Sequence, residues 1–83
     1  MNQILVKIYV PSLEKTYEVW IPPQKRIFNV IVLLSKAINE LNDNCFRTKE
    51  MPMLYDKYSG EPVDVTKLIV ESEIRNGTEL ILI

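Results

Sequence analysis

The apolar residues of this chain change their beat twice, and that change restricts the fold more than any other feature. Ile4, Val6, Ile8 and Val10 alternate with Leu5, Lys7 and Tyr9. A period of two places the first set on one face of a β-strand. Pro11-Ser12 interrupts the pattern and Leu13-Glu14-Lys15 reads as a short turn. Tyr17, Val19 and Ile21 then alternate with Thr16, Glu18 and Trp20. Two strands joined this closely form a hairpin. Pro22-Pro23 ends the second strand, because proline has no N–H to give to a ladder.

From Ile27 the spacing becomes three and four. Ile27, Ile31, Leu34, Ile38 and Leu41 recur, flanked by Val30 and Ala37. At about 100° per residue they share one face of a helix from Ile27 to about Asn42. Asn42-Asp43-Asn44 is expected to stop it, since asparagine tolerates a left-handed cap. The polar stretch from Cys45 to Pro52 reads as a loop. Met53-Leu54-Tyr55 opens a third strand, and Tyr58-Ser59-Gly60-Glu61 is a turn. Pro62-Val63-Asp64 reads as a short edge strand. Asp64 and Thr66 are expected to cap a helical turn through Leu68 and Ile69. Asn76-Gly77 leads into a last strand, Thr78 to Ile83. A helix after a hairpin forces a crossover, so a later strand joins the sheet parallel to the first. The predicted fold is an α+β roll: a mixed four- to five-stranded sheet packed on one main α-helix, as a single domain over 1–83.

Composition narrows the function. The chain has 83 residues, 10 basic and 11 acidic side chains and a formal charge of −1. Such a balance lacks the basic field that nucleic-acid binding needs, so no nucleic-acid partner is expected. Histidine is absent, which removes the commonest general base and metal ligand. No metal site and no cofactor are expected, and no Gly-rich phosphate loop is present. Cys45 stands alone, beside Phe46 and Arg47. Arg47 could stabilise a thiolate there, but with no base in view an unreactive cysteine is the stronger reading. Asp56, Glu61, Asp64, Glu71 and Glu73 read as a solvated rim. The start of the chain shows no signal-peptide pattern. Its longest apolar run, Val30 to Leu34, is far shorter than the roughly 20 residues a membrane span needs. These features predict a cytoplasmic protein with no direct membrane insertion.

The residues also resemble the ubiquitin superfamily. Gln3-Ile4-Leu5-Val6-Lys7 resembles the opening strand of ubiquitin, and Lys15-Thr16-Tyr17-Glu18-Val19 its second strand. Ile27-Phe28-Asn29-Val30 resembles the start of its helix. Leu68, Ile74, Asn76-Gly77, Leu80 and Leu82 resemble its closing pattern. The resemblance implies a ubiquitin-like β-grasp roll. Conjugating and sulfur-carrying members end in Gly-Gly, whereas this sequence closes with Leu80-Ile81-Leu82-Ile83. Among members without that tail it is most similar to the YukD-type bacterial proteins linked to type VII (WXG100) secretion.

In this fold the first and last strands are neighbours. If Ile4, Val6, Tyr17, Val19, Leu80 and Leu82 face the helix, then Leu5, Lys7, Trp20, Ile81 and Ile83 face outward. Leu5, Ile81 and Ile83 are expected to lie close together, with Trp20 on the next strand. This face is the candidate protein-binding surface. Phe28 and Val32 fall about 100° and 140° from the buried stripe, with Leu33 on the far flank. The loop carrying Phe46 and Met51 is expected to cover them, with a partner helix or a second copy as the alternative. The expected function is a non-enzymatic adaptor whose partners include secretion-machine components. A ubiquitin-like carrier is the alternative, and edge pairing of the second strand admits a homo-oligomer.

Overall fold

A computed structural model describes residues 2–42 and 51–83. β1 (Ile4–Val10) and β2 (Lys15–Ile21) pair antiparallel along their full lengths, from Ile4 opposite Ile21 to Val10 opposite Lys15. A 3-10 turn, Pro11–Leu13, joins them, and Glu14 closes it with φ of 51°. The 15-residue helix α1 (Ile27–Leu41) follows. β3 (Leu54–Asp56), a second 3-10 turn (Ile69–Glu71) and β4 (Glu79–Leu82) complete the elements. The four-stranded sheet has the order β2-β1-β4-β3. β4 runs parallel to β1, with Ile8 opposite Leu80, and β3 runs antiparallel to β4, with Leu54 opposite Leu82. This is the predicted α+β roll. The short strand expected at Pro62 is a single bridge to Tyr55.

The core lies between the sheet and α1. Val6, Ile8 and Val10 of β1 and Leu80 and Leu82 of β4 are buried on the inner face. They meet Ile27, Val30, Ile31, Leu34 and Ile38 from the helix, with Leu54, Ile69 and Ile74 at the margins. Fully burying a side chain of this kind stabilises by about 1.5–3 kcal/mol. Ile4, Tyr17 and Val19 pack against this core while half-buried. Two residues of the expected helix stripe depart from it. Ala37 is exposed, and Leu41 is 70% exposed. Leu41 occupies the last turn of α1, one step past Ile38, the last buried residue of the helix.

Local interactions explain where the elements stop. Arg26 supplies no side-chain cap to α1. Instead the N–H groups of Ile27 and Phe28 donate to the carbonyls of Lys67 and Val65. A crossing segment of main chain thus satisfies donors that a serine or aspartate usually meets. At the other end, Asn42 sits at φ −120°, ψ 30°, not in the left-handed region. Its Nδ2 donates to the Ile38 carbonyl and to the Tyr17 hydroxyl, while its Oδ1 accepts from Lys15 Nζ. Asparagine therefore ends the helix through its side chain, tying it to β2. Asp64 does not begin a helical turn either. Its Oδ1 accepts from the N–H and hydroxyl of Thr66. The turn begins at Ile69, where Glu71 Oε1 accepts from the Leu68 N–H.

Ile31→Ala should lower unfolding free energy by about 2–5 kcal/mol, whereas Leu41→Ala should cost less than about 1 kcal/mol. Urea denaturation of both variants measures the difference. Comparable losses would contradict the placement of Leu41 outside the core.

Candidate protein-binding face

The outer sheet face is built by parity. Residues adjacent to the buried inner set point away from the helix. Across the sheet these are Thr16, Glu18 and Trp20 on β2, Leu5, Lys7 and Tyr9 on β1, Glu79 and Ile81 on β4, and Tyr55 on β3. The ladder continues past β4, because Ile83 and Met53 exchange two main-chain hydrogen bonds of 2.7 and 3.0 Å. Trp20 and Ile83 are each 60% exposed, Lys7 is exposed, and Leu5 and Ile81 are half-buried.

Register divides this face and corrects the expectation that Leu5, Ile81 and Ile83 cluster. Ile81 stands opposite Tyr9 on one side and Tyr55 on the other. Leu5 stands opposite Trp20, and its carbonyl accepts from the Gly77 N–H at the start of the last strand. Leu5 and Ile81 are thus offset by four positions, about 13 Å along the strands. The physical reason is the turn at Asn76-Gly77. The Leu5 N–H donates to Asn76 Oδ1 at 2.8 Å, and the Lys7 N–H donates to the Thr78 carbonyl at 3.0 Å. Gly77 makes this approach at φ of 90°, a conformation open to glycine.

The face therefore carries two apolar groups. One holds Tyr9, Met53, Tyr55, Ile81 and Ile83. The other pairs Leu5 with Trp20. A charged row lies between them, where Lys7 faces Glu18 and Glu79. Lys57 Nζ lies 3.2 Å from Glu79 Oε1, and the Tyr58 hydroxyl donates to Glu79 Oε2 at 2.6 Å. The Tyr58 bond, followed by the bond and charge of Lys57, holds the Glu79 carboxyl below the ordinary glutamate range. The same contact raises the Tyr58 phenol. Sequence reading missed Tyr9, Met53 and Tyr55. Tyr9 shares the parity of Leu5 and Lys7, but only the register reveals that it lies beside Ile81.

The carboxylates of the second half line an open polar groove of about 510 Å³ together with Lys67 and Arg75. Asp56 Oδ1 is committed to a turn, accepting from the N–H groups of Tyr58 and Ser59. Glu61, Asp64, Glu71 and Glu73 are exposed. Among the described residues, no three His, Cys, Asp or Glu side chains converge to hold a metal ion. Cys45, Phe46 and Arg47 lie outside the described residues, as does the cover expected for the helix flank. Phe28, Val32 and Met51 themselves are exposed. Among the described residues, no helix is long and apolar enough to cross a membrane.

Because the carboxyl of Glu79 is depressed in the fold, its contribution is present above the unfolded-state pKa and is lost as pH falls through the folded one. Tyr58→Phe should raise the Glu79 pKa toward the ordinary value, read from the side-chain carboxyl carbon by NMR. No movement would mean that the hydroxyl does not hold this carboxylate.

Neither family models nor curated proteins match the sequence. Solved structures do match in shape. The ubiquitin-like domain of EccD5 from Mycobacterium xenopi aligns with TM-score 0.80 at 20% identity, covering 100% of this chain and 94% of that domain. The ubiquitin-like domain of the Mycobacterium tuberculosis type VII secretion protein EccD1 aligns with TM-score 0.77 at 13% identity, covering 100% and 99%. A chain of an ESX-5 inner membrane complex aligns with TM-score 0.79 at 13% identity; this chain is covered completely and spans 21% of that one. With the helix lying across a mixed sheet and the first and last strands parallel at its centre, the chain has the ubiquitin-like β-grasp fold.

Proposed function

We propose that this chain is a non-enzymatic, YukD-like bacterial adaptor. It works in the cytoplasm as an accessory component of a type VII (WXG100) secretion machine, docking a protein partner on the outer sheet face. The observation that carries this reading is the apolar group around Ile81. Tyr9, Tyr55 and Met53 flank Ile81 and Ile83 on adjacent strands, so these residues form one surface and not scattered exposures. Apolar clusters with aromatic members suit the centre of an interface. Lys7, with Glu18 and Glu79, supplies the polar rim that sets orientation. Leu5 and Trp20 form a second, smaller contact beyond that rim. The likeness in shape to ubiquitin-like domains of secretion proteins supports the choice of partner class.

Binding to purified soluble domains of type VII membrane components, measured by calorimetry, tests the proposal. Ile81→Glu should weaken binding by at least about tenfold, because a carboxylate would be desolvated at the centre of the contact. Trp20→Ala should reduce it by a smaller factor. Circular dichroism confirms that both variants fold. Full binding by a folded Ile81→Glu variant would remove this face from consideration.

A further inference from the structure

Charge alternates in sign across one level of the outer face. Lys7 on β1 stands opposite Glu18 on β2 and Glu79 on β4. Lys57, one residue past the end of β3, continues the row. Its N–H donates to the Glu79 carbonyl and its Nζ lies 3.2 Å from Glu79 Oε1. From the β2 edge to the β3 edge the row is therefore Glu18, Lys7, Glu79, Lys57. Its signs run negative, positive, negative, positive, so reversing the row inverts every sign. A half-turn about an axis parallel to the strands, midway between β1 and β4, performs that reversal. It lays each charge of one copy against an opposite charge of another, Lys7 against Glu79 and Glu18 against Lys57. Among the described residues, Lys7 and Glu18 form no ion pair within the chain.

The rows on either side fit the same half-turn. Two residues along the strands, the row is Thr16, Tyr9, Ile81 and Tyr55. The rotation places Tyr9 of one copy over Ile81 of the other, and Thr16 over Tyr55. On the opposite side of the charged row it carries Trp20, 60% exposed, over the turn after Lys57, where Tyr58 is 81% exposed. Sheets stacked with their strands nearly aligned are a common arrangement, twist setting them about 30° apart. An axis across the strands, along the charged row, does not work. It would set Lys7 against Lys7 and Glu18 against Glu18, and like charges so placed repel.

We infer that the outer face closes on a second copy of this chain, forming a two-fold dimer with the two sheets stacked face to face. Burial of Tyr9 and Ile81 supplies the attraction, and the alternating row fixes the register. The face spans about 14 Å across its four strands and about 20 Å along them. That extent is below the roughly 800 Å² per partner of a stable interface, so the dimer is weak and reversible. Dimerisation and partner docking then exclude each other, which makes the chain's own concentration a control on docking. That control rests on the docking reading above, whereas the dimer stands without it.

Sedimentation equilibrium of the intact chain tests the inference. The mass should rise from 9.7 kDa toward twice that value as concentration passes from micromolar to millimolar. Lys7→Glu and Glu79→Lys should each weaken association at least about tenfold, since each sets like charges together. Mixed in equal amounts, the two variants should associate to within about threefold of the original chain, because every altered charge then meets its opposite. Dilution of the original chain, followed by NMR, should shift the Tyr9, Trp20 and Ile81 amides and leave those of Val32 and Lys36 on the helix unmoved. That readout needs no variant to fold. A mass fixed at 9.7 kDa up to millimolar concentration, or folded variants that associate no better mixed than alone, would overturn the dimer. A fixed mass with retained binding to the type VII domains removes the dimer and leaves the docking reading standing. A dimer that binds none of those domains bears out the inference and removes the docking reading.

Discussion

Burial of one helical stripe against two parallel central strands is the interaction on which this structure depends. Val6 and Ile8 from β1 and Leu80 and Leu82 from β4 form the floor, and Ile27, Ile31 and Ile38 close it from above. Removing these side chains from water is the main favourable term available to a chain of this size. The surrounding interactions serve that contact. Main-chain carbonyls at Val65 and Lys67 hold the start of α1, and Asn42 holds its end. The start of the helix is held by main-chain groups alone, and Asn42 at its end also accepts from Lys15 Nζ.

The parallel pairing of β1 with β4 depends on a small feature, the Asn76-Gly77 turn. Its side-chain and main-chain bonds to Leu5 fix where β4 begins against β1. That register decides both faces of the sheet together, since a slip of one residue would exchange them. On the inner face it brings Leu80 opposite Ile8. On the outer face it separates Leu5 and Trp20 from Ile81, with a charged row between. The same turn therefore shapes the core and divides the proposed docking surface.

Hydrophobic period determined the main elements and which way their residues face. Strand, hairpin and helix follow from side-chain geometry within a single element, so β1, β2 and α1 could be placed from local spacing. The inward residues of β1 and β4 follow from the same parity. What tertiary structure decided was every relation between elements distant in sequence. The offset between Leu5 and Ile81, the presence of Tyr9 and Tyr55 beside Ile81, and the exposure of Leu41 depend on register and on where the sheet ends. The cap at Arg26 likewise comes from main-chain carbonyls far along the chain, whereas Asn42 caps the helix locally and only its bonds to Tyr17 and Lys15 are long-range. Periodicity tells each residue which way to face, but only long-range hydrogen bonding and packing tell it which neighbours it will meet.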